Sequence, residues 1–207
     1  MRIILLTISF LFLLTSILGQ TCTHDDLSHT LRFKIESRRP ADDSTNGHDC
    51  TIIVTIINKA SRKKIQIISF KGIEIYSSSF TKCSQVRSRS TWKNWKAPVM
   101  DTDFGDLVVA DFNFDSREDL AIRSDDENSG TYYRFYIQGK DGSFTLDPFL
   151  TDSVSLVPTY FNPAKKTLTT YQVADVGHEG EQVYRLDVRN NRWSMIRHRF
   201  IRFRTAR

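Results

Sequence analysis

Asp111-Phe112-Asn113-Phe114-Asp115-Ser116-Arg117-Glu118-Asp119 carries oxygen-bearing side chains at positions 1, 3, 5 and 9. The run sits between two short apolar blocks, Leu107-Val108-Val109-Ala110 and Leu120-Ala121-Ile122. Short blocks of Leu, Ile and Val read as strands, so the acidic run reads as the connection between them. Calcium takes about six to eight oxygens at roughly 2.3–2.6 Å, and a tight loop turns alternate side chains inward to supply them. In this reading Asp111, Asn113 and Asp115 give side-chain oxygens, Arg117 gives its backbone carbonyl and Asp119 closes the ring. Phe112, Phe114 and Leu120 then face a core. The competing reading is a solvated turn rich in Asp and Asn. The carboxylates of Asp111, Asp115 and Asp119 repel each other, however, and a divalent ion converts that repulsion into attraction.

The loop departs from the EF-hand pattern at two positions. Ile122 occupies position 12, where a bidentate glutamate would stand, so Asp119 has to do the closing. Ser116 occupies position 6, where glycine makes the sharp turn, and a left-handed serine costs on the order of 1 kcal/mol. Both departures predict a weak site, of the kind useful where calcium is abundant.

With its flanking strands, the loop resembles the calcium loop of FG-GAP repeats, the units of integrin-type β-propellers. Adding Thr131-Tyr132-Tyr133-Arg134-Phe135-Tyr136-Ile137 and the turn to Phe144, the chain is similar to a narrower group. These are secreted bacterial immunity proteins that inhibit peptidoglycan-hydrolase effectors of antibacterial type IV secretion systems, in the manner of lysozyme inhibitors. The resemblance is sharp over Asp103 to Phe149 and looser over Cys50 to Phe70 and Tyr160 to Tyr184. It implies a calcium-bearing β scaffold whose protruding loop enters a hydrolase active site.

The rest of the chain is read on its own residues. Met1-Arg2, an apolar run from Ile3 to Leu18 and Gly19-Gln20-Thr21 follow the layout of a secretory signal peptide, with cleavage after Gly19. A run of sixteen residues is marginal for a bilayer span, and no second span follows. The expected product is soluble and either periplasmic or extracellular. Loss of Arg2 lowers the net charge from +5 to about +4. Cys22, Cys50 and Cys83 leave three pairings open for one disulfide in an oxidising compartment, with the odd cysteine a buried thiol.

Periodicity predicts an all-β fold, a small propeller-like or barrel-like assembly of antiparallel hairpins. The predicted organisation is a signal peptide at 1–19, a strand and exposed loop over 20–49, and a β domain over 50–207. Strands are expected near Leu31–Ile35, Thr51–Ile57, Ile65–Phe70, Tyr132–Ile137, Phe144–Leu146, Leu156–Phe161, Thr167–Val173, Gln182–Val188 and Arg192–Arg197. Arginines crowd the C-terminal stretch, at 185, 189, 192, 197, 199, 202, 204 and 207. Their ordinary reading is a solvated edge strand, and their functional one an acidic partner. Nucleic acid fits poorly, because no recognisable RNA-binding motif accompanies the arginines.

Asp175-Val176-Gly177-His178-Glu179-Gly180-Glu181 joins two predicted strands with two glycines, a histidine and three carboxylates. Its plain reading is a mobile connector. By the resemblance it is the inhibitory loop, in which Gly177, His178 and Glu179, with Tyr171 or Tyr184 nearby, meet the paired catalytic carboxylates of a hydrolase. An enzyme reading rests on Glu179 and Glu181, or on Asp101, Asp103 and Asp106, as a glycosidase pair. No nucleophile elbow, zinc-protease motif or phosphate loop supports catalysis. The expectation is therefore a non-enzymatic, calcium-binding inhibitor of a cell-wall hydrolase. The runner-up is an FG-GAP-like adhesion module recognising a surface protein or glycan.

Overall fold

The computed structural model describes residues 20–38, 49–73, 88–90, 104–105, 107–127 and 130–202. The expected signal peptide, most of the polar loop after Arg38, Cys83, Asp101, Asp103, Asp106, Arg204 and Arg207 lie outside these residues.

The described chain is all-β, built as three sheets in chain order. The first contains β1 (Gln20–His24), β2 (Leu31–Arg38), β3 (Asp49–Asn58) and β4 (Lys64–Ile73). The second contains β5 (Ser88–Ser90), β6 (Leu107–Ala110), β7 (Asp119–Glu127), β8 (Gly130–Gln138) and β9 (Phe144–Leu146). The third contains β10 (Tyr160–Asn162), β11 (Thr167–Asp175), β12 (His178–Asp187) and β13 (Arg192–Arg202). Neighbours are antiparallel except β5 and β6, which run parallel. Among the described residues no sheet closes on itself, so the propeller-like expectation fits better than the barrel-like one. β2 pairs with β3 from Leu31 opposite Asn58 to Arg38 opposite Thr51.

The middle sheet is buried on both faces, which explains why β6 is an unbroken apolar run with all four residues buried. Leu107, Val109, Leu120, Ile122 and Tyr136 face the first sheet and join Phe33, Ile35, Ile52, Val54 and Ile56 in one core. The alternate residues Val108, Ala110, Ala121, Tyr133 and Phe135 face the third sheet and join Leu168, Tyr184, Leu186 and Trp193 in another. The period of two in a strand produces this division. Phe112 is fully buried in the second core, edge-on to Phe135 at 5.0 Å between centroids. Burial of a side chain of this size stabilises by about 1.5–3 kcal/mol.

Several elements differ from expectation. Leu156 and Val157 are buried without strand pairing, and β10 begins only at Tyr160. Pro158 removes a ladder donor, and the stretch follows a π-helical turn, Leu150–Val154, that ends at left-handed Ser155. That turn is fixed to β8, where Thr151 Oγ1 accepts the Phe135 amide at 3.0 Å. β11 and β12 are also longer than predicted, running to Asp175 and from His178. Cys22 is disulfide-bonded to a partner beyond the described residues, whereas Cys50 is a buried thiol 3.5 Å from the Gly72 carbonyl. No helix among the described residues is long and apolar enough to cross a membrane.

Candidate functional site

The acidic loop connects β6 to β7 and is held by its own carboxylates. Asp111 accepts the Asp115 amide on Oδ1 and the Ser116 amide on Oδ2, each at 2.9 Å. Asp115 Oδ1 accepts the Arg117 amide at 2.9 Å, while its Oδ2 takes Asn113 Nδ2 at 2.7 Å and the Arg117 guanidinium. Phe114 and Ser116 adopt positive φ of 62° and 70°, so the strain expected at Ser116 is present. Phe112 and Leu120 are buried as predicted, but in different cores, and Phe114 packs partly buried near Trp193.

Asp119 is fully buried. Its Oδ2 accepts the Phe112 amide and its Oδ1 the Gln138 amide, both at 2.8 Å. Burial drives its carboxyl up to about 7 against those two amide bonds, and the charges of Asp115 and Asp111 add to the rise. Among the described residues no three His, Cys, Asp or Glu side chains converge as a metal site. The donor set expected from the sequence mixes carboxylates with the Asn113 amide and a backbone carbonyl. All are hard oxygen donors, and Asp119 is a buried carboxyl beside two like charges, so the chemistry suits a divalent cation. The Arg117 guanidinium already places one cation on Asp115.

The predicted 175–181 loop is a hairpin tip. Only Val176 and Gly177 lie between β11 and β12, and Val176 is fully exposed. Gly177 has φ 109°, a conformation side chains other than glycine rarely adopt, which lets the strands turn so tightly. His178 Nδ1 lies 2.7 Å from Asp175 Oδ1 and closes the tip. Gly180 belongs to β12 rather than to a loop, opposite Phe200.

Behind the tip, Tyr171 and Glu181 are cross-strand partners on the outer face of the third sheet. With Glu179, Tyr160, Arg199 and Ile201 they line a groove of about 530 Å³. Glu181 is only 5% exposed, yet it sits among cations. Its Oε2 accepts Arg199 Nε at 2.5 Å and lies 3.2 Å from Arg197 Nε, and its Oε1 accepts the Tyr171 hydroxyl at 3.2 Å. The Arg199 hydrogen bond holds its carboxyl below the usual range despite desolvation. Burial, and then the Glu181 charge, raise the Tyr171 hydroxyl.

Gly177, His178, Glu179 and Tyr171 thus gather at one end of this sheet, but Tyr184 does not. It points to the opposite face, fully buried in the second core, with its hydroxyl 3.2 Å from the Ser153 carbonyl. The bulge between Val183 and Tyr184 does not alter which side of the sheet it occupies. The groove also uses Tyr160 and Arg199, which the sequence reading had not assigned to a site. The alternation of Arg197, at the end of the predicted strand, with Arg199 just beyond it is the signal that the sequence offers.

No protein-family model matches the chain, and no curated protein matches it. Among solved structures, a Xanthomonas type IV secretion system related protein matches with a TM-score of 0.55 at 14% identity. The match covers 88% of this chain and 87% of that one, so the two share a fold over nearly their whole length.

Proposed function

We propose that this protein is an exported inhibitor, or immunity protein, of a cell-wall hydrolase, and that the β11–β12 tip is the inhibitory element. The observation that carries the reading is the tip itself: a fully exposed Val176 on a two-residue turn, braced by two long paired strands. Such a wedge enters a cleft without the ordering cost of a flexible loop. A secretion-system related protein of the same fold is consistent with a secretion-associated role. The protein acts by occlusion rather than catalysis. Glu181, half of the Glu179–Glu181 pair on which the enzyme reading rests, is committed to Arg197, Arg199 and Tyr171.

Calcium belongs to the same proposal as a structural ion. Asp111, Asn113, Asp115 and Asp119 would hold it through side-chain oxygens, with Arg117 contributing its carbonyl. When bound it supplies positive charge to a loop whose carboxylates repel one another.

Exposed Tyr160, edge-on to Tyr171 beside a polar groove, favours the second reading, a module that binds a surface glycan. The protein is mixed with a panel of peptidoglycan hydrolases and turnover is followed. Stoichiometric suppression, weakened by Gly177→Pro and His178→Ala, supports the inhibitor. Retention on polysaccharide without suppression of any hydrolase replaces it with the glycan-binding module.

A further inference from the structure

β13 is the outermost strand of the third sheet and spans eleven residues. Among the described residues it pairs only with β12, which leaves the main-chain groups of its far edge without a ladder. Three large apolar side chains on it are exposed: Met195, Ile196 and Phe200, at 48%, 44% and 66%. The strand contains no acidic residue, whereas Arg192, Arg197, Arg199 and Arg202 are all cationic.

Two of these arginines are held in place by the fold. Arg197 and Arg199 both meet Glu181 Oε2 through Nε, and Glu181 is almost fully buried. Their Nη donors remain for a second acceptor, and the planar guanidinium suits a carboxylate. Phe200 lies on the other face, with His198 edge-on at 5.1 Å. The edge therefore offers two fixed cations on one face and the exposed Phe200 ring, between His198 and Arg202, on the other.

We propose that the open edge of β13 is a strand-addition site for an extended acidic segment of a partner protein. Main-chain hydrogen bonds would continue the ladder, carboxylates at alternate positions would meet Arg197 and Arg199, and apolar residues between them would cover Phe200. Charge selects this occupant over a second copy, because β13 against β13 sets arginine against arginine across the new pair. An acidic glycan satisfies the arginines but cannot extend the ladder. The proposal stands apart from the hydrolase reading, since it uses the edge of the sheet rather than the tip.

The test is fluorescence anisotropy of the protein with a labelled peptide of alternating glutamate and valine, at low salt. Saturable binding is expected, with none for the lysine–valine counterpart. Two further peptides are N-methylated at alternate residues in opposite phase. The phase that blocks the pairing edge loses at least about ten-fold in affinity and the other does not, because a strand offers alternate amides to opposite neighbours. Replacing Arg197 and Arg199 with Gln weakens binding about ten-fold. Glu181→Gln is included in that variant so that no buried charge is stranded, and its melting curve verifies folding. Equal binding of both methylated peptides overturns strand addition. Polygalacturonate binding as tightly as the peptide shows a general polyanion site instead. Concentration-dependent dimerisation that excludes the peptide shows that a second copy is the occupant.

Discussion

One carboxylate fastens the acidic loop to its neighbouring strand: Asp119 Oδ1 accepts the Gln138 amide at 2.8 Å. The other oxygen of Asp119 accepts the Phe112 amide at the same distance. The side chain thus joins the start of the loop to the end of β8. Asp119→Ala leaves two amides without their acceptors and costs about 2–4 kcal/mol. Urea denaturation in chelator measures it, and a loss below about 0.5 kcal/mol removes the bracing role.

Asp111 has a double duty that separates the ion from the loop. Its oxygens hold the Asp115 and Ser116 amides, so Asp111→Ala lowers stability by about 1 kcal/mol even in chelator. Calcium adds a second, larger deficit. A site filled to about one hundred times its dissociation constant stabilises the parent by about 2.7 kcal/mol. The parent should therefore melt higher in millimolar calcium than in chelator, and Asp111→Ala should lose most of that difference. Identical parent melting curves in the two buffers eliminate the structural ion.

Glu181 predicts an acid-dependent loss of stability. Arg199 keeps its folded carboxyl below the ordinary 4.5, so the native state binds the proton more weakly than the unfolded chain. The contribution is complete above the unfolded value and disappears as pH falls through the folded one. Parent and Glu181→Gln should differ in urea midpoint at about pH 6, and the gap should narrow as pH falls below about 4.5. A gap that stays constant across this range assigns the effect to packing instead of charge.

Elements set by local pattern were legible in the sequence, and those set by distant partners were not. β6 shows at Leu107–Ala110 because a sheet buried on both faces needs a continuous apolar run. β9 shows because a Gly-containing turn and a short apolar block frame it. β1 was missed because Gln20-Thr21-Cys22-Thr23-His24 is polar and takes its order from pairing with β2. The beginning of β12 was read as loop because Glu179 and Glu181 are charged. Glu181 is compatible with a buried strand position only because Arg197 and Arg199, on the next strand, neutralise it. The acidic loop was found from its spacing, but spacing could not reveal that Asp119 is occupied by two backbone amides. Tyr184 was grouped with the tip by nearness in sequence, and strand alternation places it on the other face.

The hairpin tip allows contact and scaffold to be tested separately. Gly177 has φ 109° and open space where a Cβ would sit, so a substitution there costs backbone strain rather than a clash. Gly177→Ala should destabilise by about 1–2 kcal/mol. Val176 is fully exposed at the same turn, so Val176→Asp should change stability by less than about 0.5 kcal/mol. If the tip enters a hydrolase cleft, Val176→Asp nevertheless weakens inhibition by at least about ten-fold, because it carries a charge into a desolvated contact beside catalytic carboxylates. Inhibition constants measured beside melting temperatures decide the matter. Potency that falls with Gly177→Ala in proportion to stability, and is untouched by Val176→Asp, moves the inhibitory contact away from this turn.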